Sequence, residues 1–532
     1  MRCSIIISLL ACLVVVPACS RSKESPVVPA EGRSAADFEP LSIEIFGPTT
    51  NGGLENNQFH DIALAQIRTA GGMWPGQEYD QIHGCGAVTL YRQDNNPNNP
   101  FKPVFRWLST NPYGPGDGPF YVTDRDADDD DNDADYRAVA CDAAVDVWGG
   151  TLAPGLPSLE LAVCYQVRRI EGQLNNQDWE IGITVVRWLG DDMLQFWNTP
   201  PTERVDVVLA DTIASHDELN PDIAYDHTTG DIYVVYSDVQ QEVTRVYVKY
   251  RRFDRSEHAP GQYEFGGEYL VQDIAPPLEH NGHNPSIDVG YIDFAGGPTW
   301  NVVAVAYTAQ FKDPDGPGPD TPHIGYHVCA TAWPAFAQDR DWPTGFDLMN
   351  PNFRYQDAGL PCVDISPNTN ADNVGAVTYT QVVGADGFGP ITGVFVVGFL
   401  GQVGPHFQVT ANLQGLGDAM YPSIAINRQV NQGDPIFASV TFLGQTPQSD
   451  ALRPVATRVQ IDTQQNGWSG WVGLNSVAFG NYNISDIPFL NPCVASAIVT
   501  ANNNRYWAAW CDRTEMEPPP DQVWACWGYA DQ

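Results

Sequence analysis

Asp124, Asp126, Asp128, Asp130, Asn132 and Asp135 place side-chain oxygens at positions 1, 3, 5, 7, 9 and 12 of one short segment. Oxygen donors at that spacing can wrap a single hard cation from one loop, and calcium suits such a set. Carboxylates crowded this closely repel one another unless a cation neutralises them. A solvated acidic surface loop without an ion is the other reading of the same residues.

The segment resembles the Asp-rich loops of EF-hand, dockerin and thrombospondin type 3 repeats, which implies bound calcium. It departs from the EF-hand at two places: Asp129 stands where that loop carries Gly, and Asp135 replaces the bidentate Glu. No flanking helices are evident.

Other residues with chemical potential are sparser. His323 and His327 sit four apart; on a strand they share a face but lie about 13 Å apart, too far to chelate one ion. They read as ordinary strand histidines. His280 and His283 fall in a turn before an apolar segment and read as polar turn residues, with a ligand role as the alternative. The chain has no GxSxG, HExxH or P-loop motif. No catalytic residue can be named from these patterns.

There are 11 cysteines. Cys3 and Cys12 lie in an N-terminal segment with the pattern of an export signal: Arg2, then an apolar run from Ile5 to Val16. That run is short for a membrane-spanning helix. It ends in Val16-Pro17-Ala18-Cys19, which resembles the bacterial lipobox. The resemblance implies acylation of Cys19, cleavage before it, and a signal peptide over residues 1–18. Ser20, by analogy with the enterobacterial sorting rule, favours the outer membrane. Residues 19–40 are rich in Ser, Pro and charge and suit a flexible tether. The folded domain is expected over 41–532.

Eight cysteines remain after Cys19: Cys85, Cys141, Cys164, Cys329, Cys362, Cys493, Cys511 and Cys526. An even number in an exported chain is consistent with disulfides, although eight allow on the order of 100 connectivities. Cys511 and Cys526 flank a Pro-rich turn (EMEPPPDQ), and Cys141 and Cys164 flank a Gly/Pro turn region. Those pairs are expected, with Cys329–Cys362 and Cys85–Cys493 following by elimination. Free buried thiols are the alternative.

Aromatic residues make up 11% of the chain and charged residues 17%, with 48 Gly, 42 Pro and 15 Trp. That profile fits many short strands joined by turns rather than a helical protein. The formal charge of −38 offers no basic footprint for a phosphate backbone, which argues against a nucleic-acid partner.

A degenerate repeat supplies the elements that must position any site. It appears as Asn220-Pro221-Asp222-Ile223-Ala224-Tyr225-Asp226, then Asn284-Pro285-Ser286-Ile287-Asp288, then Tyr421-Pro422-Ser423-Ile424-Ala425-Ile426-Asn427, then Asn491-Pro492-Cys493-Val494-Ala495. Weaker copies begin near Asp142, Cys362 and Asp61, and the starts fall about 60 to 80 residues apart. In each copy a short strand of small residues leads through a tight turn into a bulky, β-branched or aromatic strand such as Ile232–Asp238, of the kind that buried strands favour. Further strand candidates follow, and about four strands per unit is the arithmetic of a propeller blade.

The pattern resembles repeats of bacterial exported β-propellers, including the sialidase-like or BNR-repeat group, over most of residues 55–530. The resemblance implies an all-β fold: a single β-propeller of four-stranded antiparallel blades, seven by count, with six or eight, or a pair of β-sandwiches, as alternatives. A sialidase should also show Asp boxes and an arginine triad. The nearest echo of an Asp box, Asp462 to Trp468, has the wrong spacing. The expected function is therefore a membrane-anchored binding or scaffold module for a glycan or protein. The alternatives are a glycan-active hydrolase or lyase and a structural envelope component.

Overall fold

The Pro-centred motif folds the same way in its four copies among the described residues. The residue before the proline takes a left-handed backbone: φ is 52° at Asn220, 49° at Asn284, 52° at Leu360 and 53° at Tyr421. Asn tolerates that region because its short side chain bonds locally, whereas Leu and Tyr pay roughly 1–2 kcal/mol for it. At each of these positions one extra residue bulges out of the strand pairing, between Leu219 and Asp222, His283 and Ser286, Gly359 and Cys362, and Met420 and Ser423. The same one-residue bulge lies between Gln58 and Asp61. A bulge bends its strand and re-aims the side chains beyond it. Here it sets the orientation of the residues one and three places after the proline.

The computed structural model describes residues 43–46, 56–64, 84–92, 102–110, 113–115, 120–121, 136–153, 156–169, 179–190, 200–209, 216–240, 245–271, 282–293, 299–318, 321–335, 346–347, 357–365, 374–383, 391–399, 403–412, 417–426, 436–446, 449–461, 477–478, 493–500, 503–513 and 521–529. Among them are seven antiparallel sheets, each opened by one copy of the motif. The opening strands are Asn56–Leu64, Tyr136–Ala153, His216–Tyr225, Gly282–Asp293, Ala358–Ile365, Ala419–Ile426 and Cys493–Thr500, which begin sheets 1 to 7.

Strands follow in sequence from the inside of each sheet outwards. Sheet 3, for example, runs His216–Tyr225, Ile232–Gln240, Arg245–Phe253, Tyr269–Leu270. Sheet 7 is completed by the N-terminal strand Ile43–Phe46, which pairs with Asp521–Tyr529. Opening strands contact one another in order, and that of sheet 7 touches that of sheet 1. The chain is an all-β propeller of four-stranded antiparallel blades, as the repeat implied, with Phe120–Tyr121 as a fifth strand in sheet 1. Among the described residues no helix is long and apolar enough to cross a membrane.

Stacking explains the near-continuous apolar second strands. Val302 to Ala309 are buried throughout, their alternating side chains entering two different cores. Separate apolar clusters fill the junctions between sheets 1 and 2, 2 and 3, 3 and 4, 4 and 5, and 5 and 6. A fully buried Val, Leu or Phe contributes about 1.5–3 kcal/mol, so adhesion between sheets dominates the fold.

The disulfide expectations are corrected. Cys164, Cys329 and Cys362 are in no disulfide, so neither Cys141–Cys164 nor Cys329–Cys362 is formed. Cys164 is packed between sheets 2 and 3 and Cys329 between sheets 3 and 4, while Cys362 on sheet 5 is packed against the core it shares with sheet 6. Cys511 lies opposite Val523 and Cys526 opposite Ala508. The two cysteines are thus three places out of register, which separates their backbones by about 10 Å along the strand, beyond the span of a disulfide. The side chains of Cys85 and Cys493 lie outside the described residues.

Candidate functional site

Cys19, the acidic stretch from Asp124 to Asp135, His280 and the segment from Asp462 to Trp468 lie outside the described residues. Among the described residues no group of three or more His, Cys, Asp or Glu side chains is placed to hold a metal. His323 and His327 share the strand Thr321–Pro334, opposite Asp313 and Ala309. His283 is half-buried on the opening strand of sheet 4, and burial lowers its pKa.

Around the axis, the motif assembles a collar that the sequence reading had not singled out. An opening strand has a sheet neighbour on one side only, so the amides on its other edge need acceptors. The preceding sheet supplies them. The position after the motif's proline accepts at one level. Asp61 Oδ2 takes the Val145 amide at 2.8 Å, Asp222 Oδ2 takes Ile287 at 2.9 Å, and Ser286 Oγ takes Val363 at 3.2 Å. Cys362 receives the amide of Ile424. Two residues on, a second level forms. Asp146 Oδ2 takes Tyr225 at 2.7 Å, Asp288 Oδ2 takes Ile365 at 2.6 Å, and Asp364 Oδ2 takes Ile426.

These carboxylates keep part of their surface in solvent, yet the dense protein around them disfavours their charge. Burial pushes Asp222 up to about 6 and raises Asp146 well above the usual carboxylate range, with hydrogen bonds from backbone amides opposing the shift. Asp288 is raised by burial; Asp364 is raised further, by burial and then by the charge of Asp288. The two carboxyls hydrogen-bond each other and titrate as one coupled pair. With their oxygens committed to amides and to each other, these groups act as staples between sheets.

A second unanticipated feature joins sheets 2 and 3. The turn after Phe253 forms a short 3-10 helix, Arg255–Glu257, capped by the Asp254 side chain. Arg255 reaches into sheet 2, where Nη1 and Nη2 bond Glu160 at 3.1 and 2.6 Å and the guanidinium lies 4.3 Å from the centre of the Trp148 ring. Glu160 is fully buried. Arg255 Nε donates to the Gly230 carbonyl at 2.9 Å. Gly230 has φ of 77°, and a Cβ there would sit 2.5 Å from Arg255 Nε and 2.8 Å from the Trp148 ring. That turn requires glycine for both reasons.

The pinned turn forms the rim of a cleft between sheets 3 and 4, with a volume of about 250 Å³. Tyr250 and Tyr269 stack at 5.2 Å between ring centres, and Trp333 of sheet 4 meets Tyr250 at 4.9 Å. Tyr233 donates from its hydroxyl to the Ala335 carbonyl at 2.9 Å, closing the junction. Arg252, Asp254, Glu257 and Glu264 supply the polar margin. The cleft thus combines an aromatic wall with charged groups at its mouth, the usual make-up of a small-molecule site. Its signal in sequence was weak, because its parts come from four stretches between Tyr233 and Ala335.

No protein-family model matches this sequence, and no curated protein matches it. Solved structures do resemble it. A Penicillium chrysogenum α-L-arabinanase complexed with arabinobiose is 10% identical, covering 80% of this chain and 98% of that one, with a TM-score of 0.39. A Hadza microbial sialidase is 12% identical over 94% of this chain and 95% of that one, with a TM-score of 0.36. A GH93 α-L-arabinofuranosidase of Fusarium graminearum is 11% identical over 72% and 92%, with a TM-score of 0.37.

Proposed function

We propose that this chain is a lipid-anchored propeller of the outer membrane that binds a glycan through the cleft between sheets 3 and 4. The observation that carries the reading is Tyr269, whose partly exposed ring lies at that cleft, backed by the buried Tyr250 and Trp333 rings and flanked by Arg252 and Asp254. Aromatic faces stack on the apolar C–H faces of sugar rings, and neighbouring charged groups hydrogen-bond their hydroxyls. A volume of about 250 Å³ suits a single sugar or the end of a longer chain. Acylation of Cys19 and the tether over 19–40 would hold the domain at the membrane.

Glycan hydrolysis is the second reading. It is favoured by the carboxylates Asp254, Glu257 and Glu264 lining the same cleft, since glycosidases work with carboxylate pairs. A glycan array probed with the full chain in detergent tests the binding reading. We expect saturable binding that Tyr269→Ala weakens at least tenfold. Binding to no glycan, or binding that Tyr269→Ala leaves intact, overturns it. Release of shortened sugars from a bound oligosaccharide moves the assignment to the second reading.

A further inference from the structure

We propose that the cleft between sheets 3 and 4 selects against acidic sugars and favours sugars bearing a free amine, an inference that rests on the glycan-binding reading above. The argument is one of charge count at the mouth. Among the described residues Arg252 is the one arginine lining the cleft, and its charge is already matched. Its Nη2 meets Asp231 Oδ2 at 2.6 Å and Asp254 Oδ2 at 2.9 Å. Its Nε is buried away from solvent, and its guanidinium lies over the Tyr233 ring at 5.7 Å. An incoming carboxylate would have to displace one of two carboxylates already in place.

Glu257 and Glu264, by contrast, are exposed and line the same cleft. Neither has an ion-pair partner among the described residues. Two unmatched negative charges next to a saturated arginine repel uronic and sialic acids. The same two charges attract an ammonium group, and the partly exposed Tyr269 ring at the cleft offers it a π face. The arrangement is held in place from the far side: Arg255, locked onto Glu160, fixes the turn that carries Asp254 and Glu257.

Calorimetry with the full chain in detergent, at about pH 6.5 where the sugar amine is charged, distinguishes the classes. The probes are a glucosamine tetramer, its N-acetylated counterpart and a galacturonate tetramer. We expect the glucosamine tetramer to bind about tenfold tighter than the acetylated one, an advantage that shrinks with added salt, and the galacturonate tetramer to bind weakest. Glu257→Gln combined with Glu264→Gln should bring the ratio of amine to acetylated affinity close to one, with circular dichroism confirming the fold.

Galacturonate binding as tight as the others overturns the inference and leaves glycan binding standing. So does an amine advantage that survives the double substitution, or equal affinity for the first two probes. If none of the three binds, the glycan reading itself falls and the inference falls with it.

Discussion

Asp146, on the opening strand of sheet 2, accepts the backbone amide of Tyr225, on the opening strand of sheet 3, at 2.7 Å. The other oxygen of the same carboxylate accepts the amide of Val147 at 2.7 Å. One side chain thus satisfies an amide on its own strand and one on the neighbouring sheet. Asp222 repeats the arrangement with Ile223 and Ile287. These bonds set the angular spacing of sheets that otherwise meet through apolar contact, which is strong but not directional.

Removing an acceptor strands a buried amide. Asp146→Ala should therefore destabilise the propeller by about 1–3 kcal/mol. Asp146→Asn keeps an acceptor oxygen and removes a charge that burial disfavours, so it should cost much less. Urea unfolding of the two variants against the parent checks the ordering; equal losses would mean that the carboxylate's charge, and not its acceptor geometry, matters.

The collar also predicts how stability changes with pH. Asp146, Asp222, Asp288 and Asp364 all have folded-state pKa values raised above the unfolded carboxylate value, Asp222 to about 6. A raised folded value contributes stability that is fully present below the unfolded pKa near 4 and is lost as pH rises through the folded one. The collar's contribution should fall as pH rises from about 4, over about pH 4 to 7 for Asp222. Melting temperatures at about pH 5 should exceed those at about pH 8. That difference should shrink when Asp288→Asn and Asp364→Asn are combined.

Arg255 and Glu160 form a buried pair, and breaking it leaves a charge without compensation. Arg255→Ala should cost about 3–5 kcal/mol. Arg255→Lys should recover only part of this, because lysine lacks the planar fork that bonds both Glu160 oxygens and the Gly230 carbonyl together. Replacing both partners, with Glu160→Gln and Arg255→Met, should be milder than Arg255→Ala alone. Thermal unfolding of the three variants provides the test.

Calcium at the acidic stretch is testable on the intact protein. Chelation should lower the melting temperature, added calcium should restore it, and Asp128→Ala with Asp130→Ala should abolish the response. A melting temperature indifferent to chelator would leave the stretch as a solvated loop.

Much of the architecture was legible in the residues. The recurring Pro-centred motif, at 221, 285 and 422, marked the opening strands of sheets 3, 4 and 6. The bulky segment that followed marked the buried second strand. Both signals are local, since they arise from strand periodicity and from burial on two faces. The collar also left a trace, because an acid recurs one or three residues after the motif's proline at Asp222, Asp288 and Asp364. It went unread because an acid in a strand looks like a solvent-facing residue until the next sheet's free edge is placed beside it. The cysteine pairings failed for a related reason. Flanking a common turn does not fix register, and register placed Cys511 and Cys526 three residues out of step.

Sequence alone determined the all-β class, the blade-sized repeat, and the expectation of an exported, anchored chain, since each follows from periodicity, composition or a short contiguous motif. The tertiary structure decided which side chains meet. It brought Trp333 to Tyr250, Arg255 to Glu160 and Asp146 to Tyr225, residues between 79 and 95 positions apart in the second and third cases. Such contacts depend on how neighbouring sheets are rotated and stacked, a property of the closed ring that no single repeat contains.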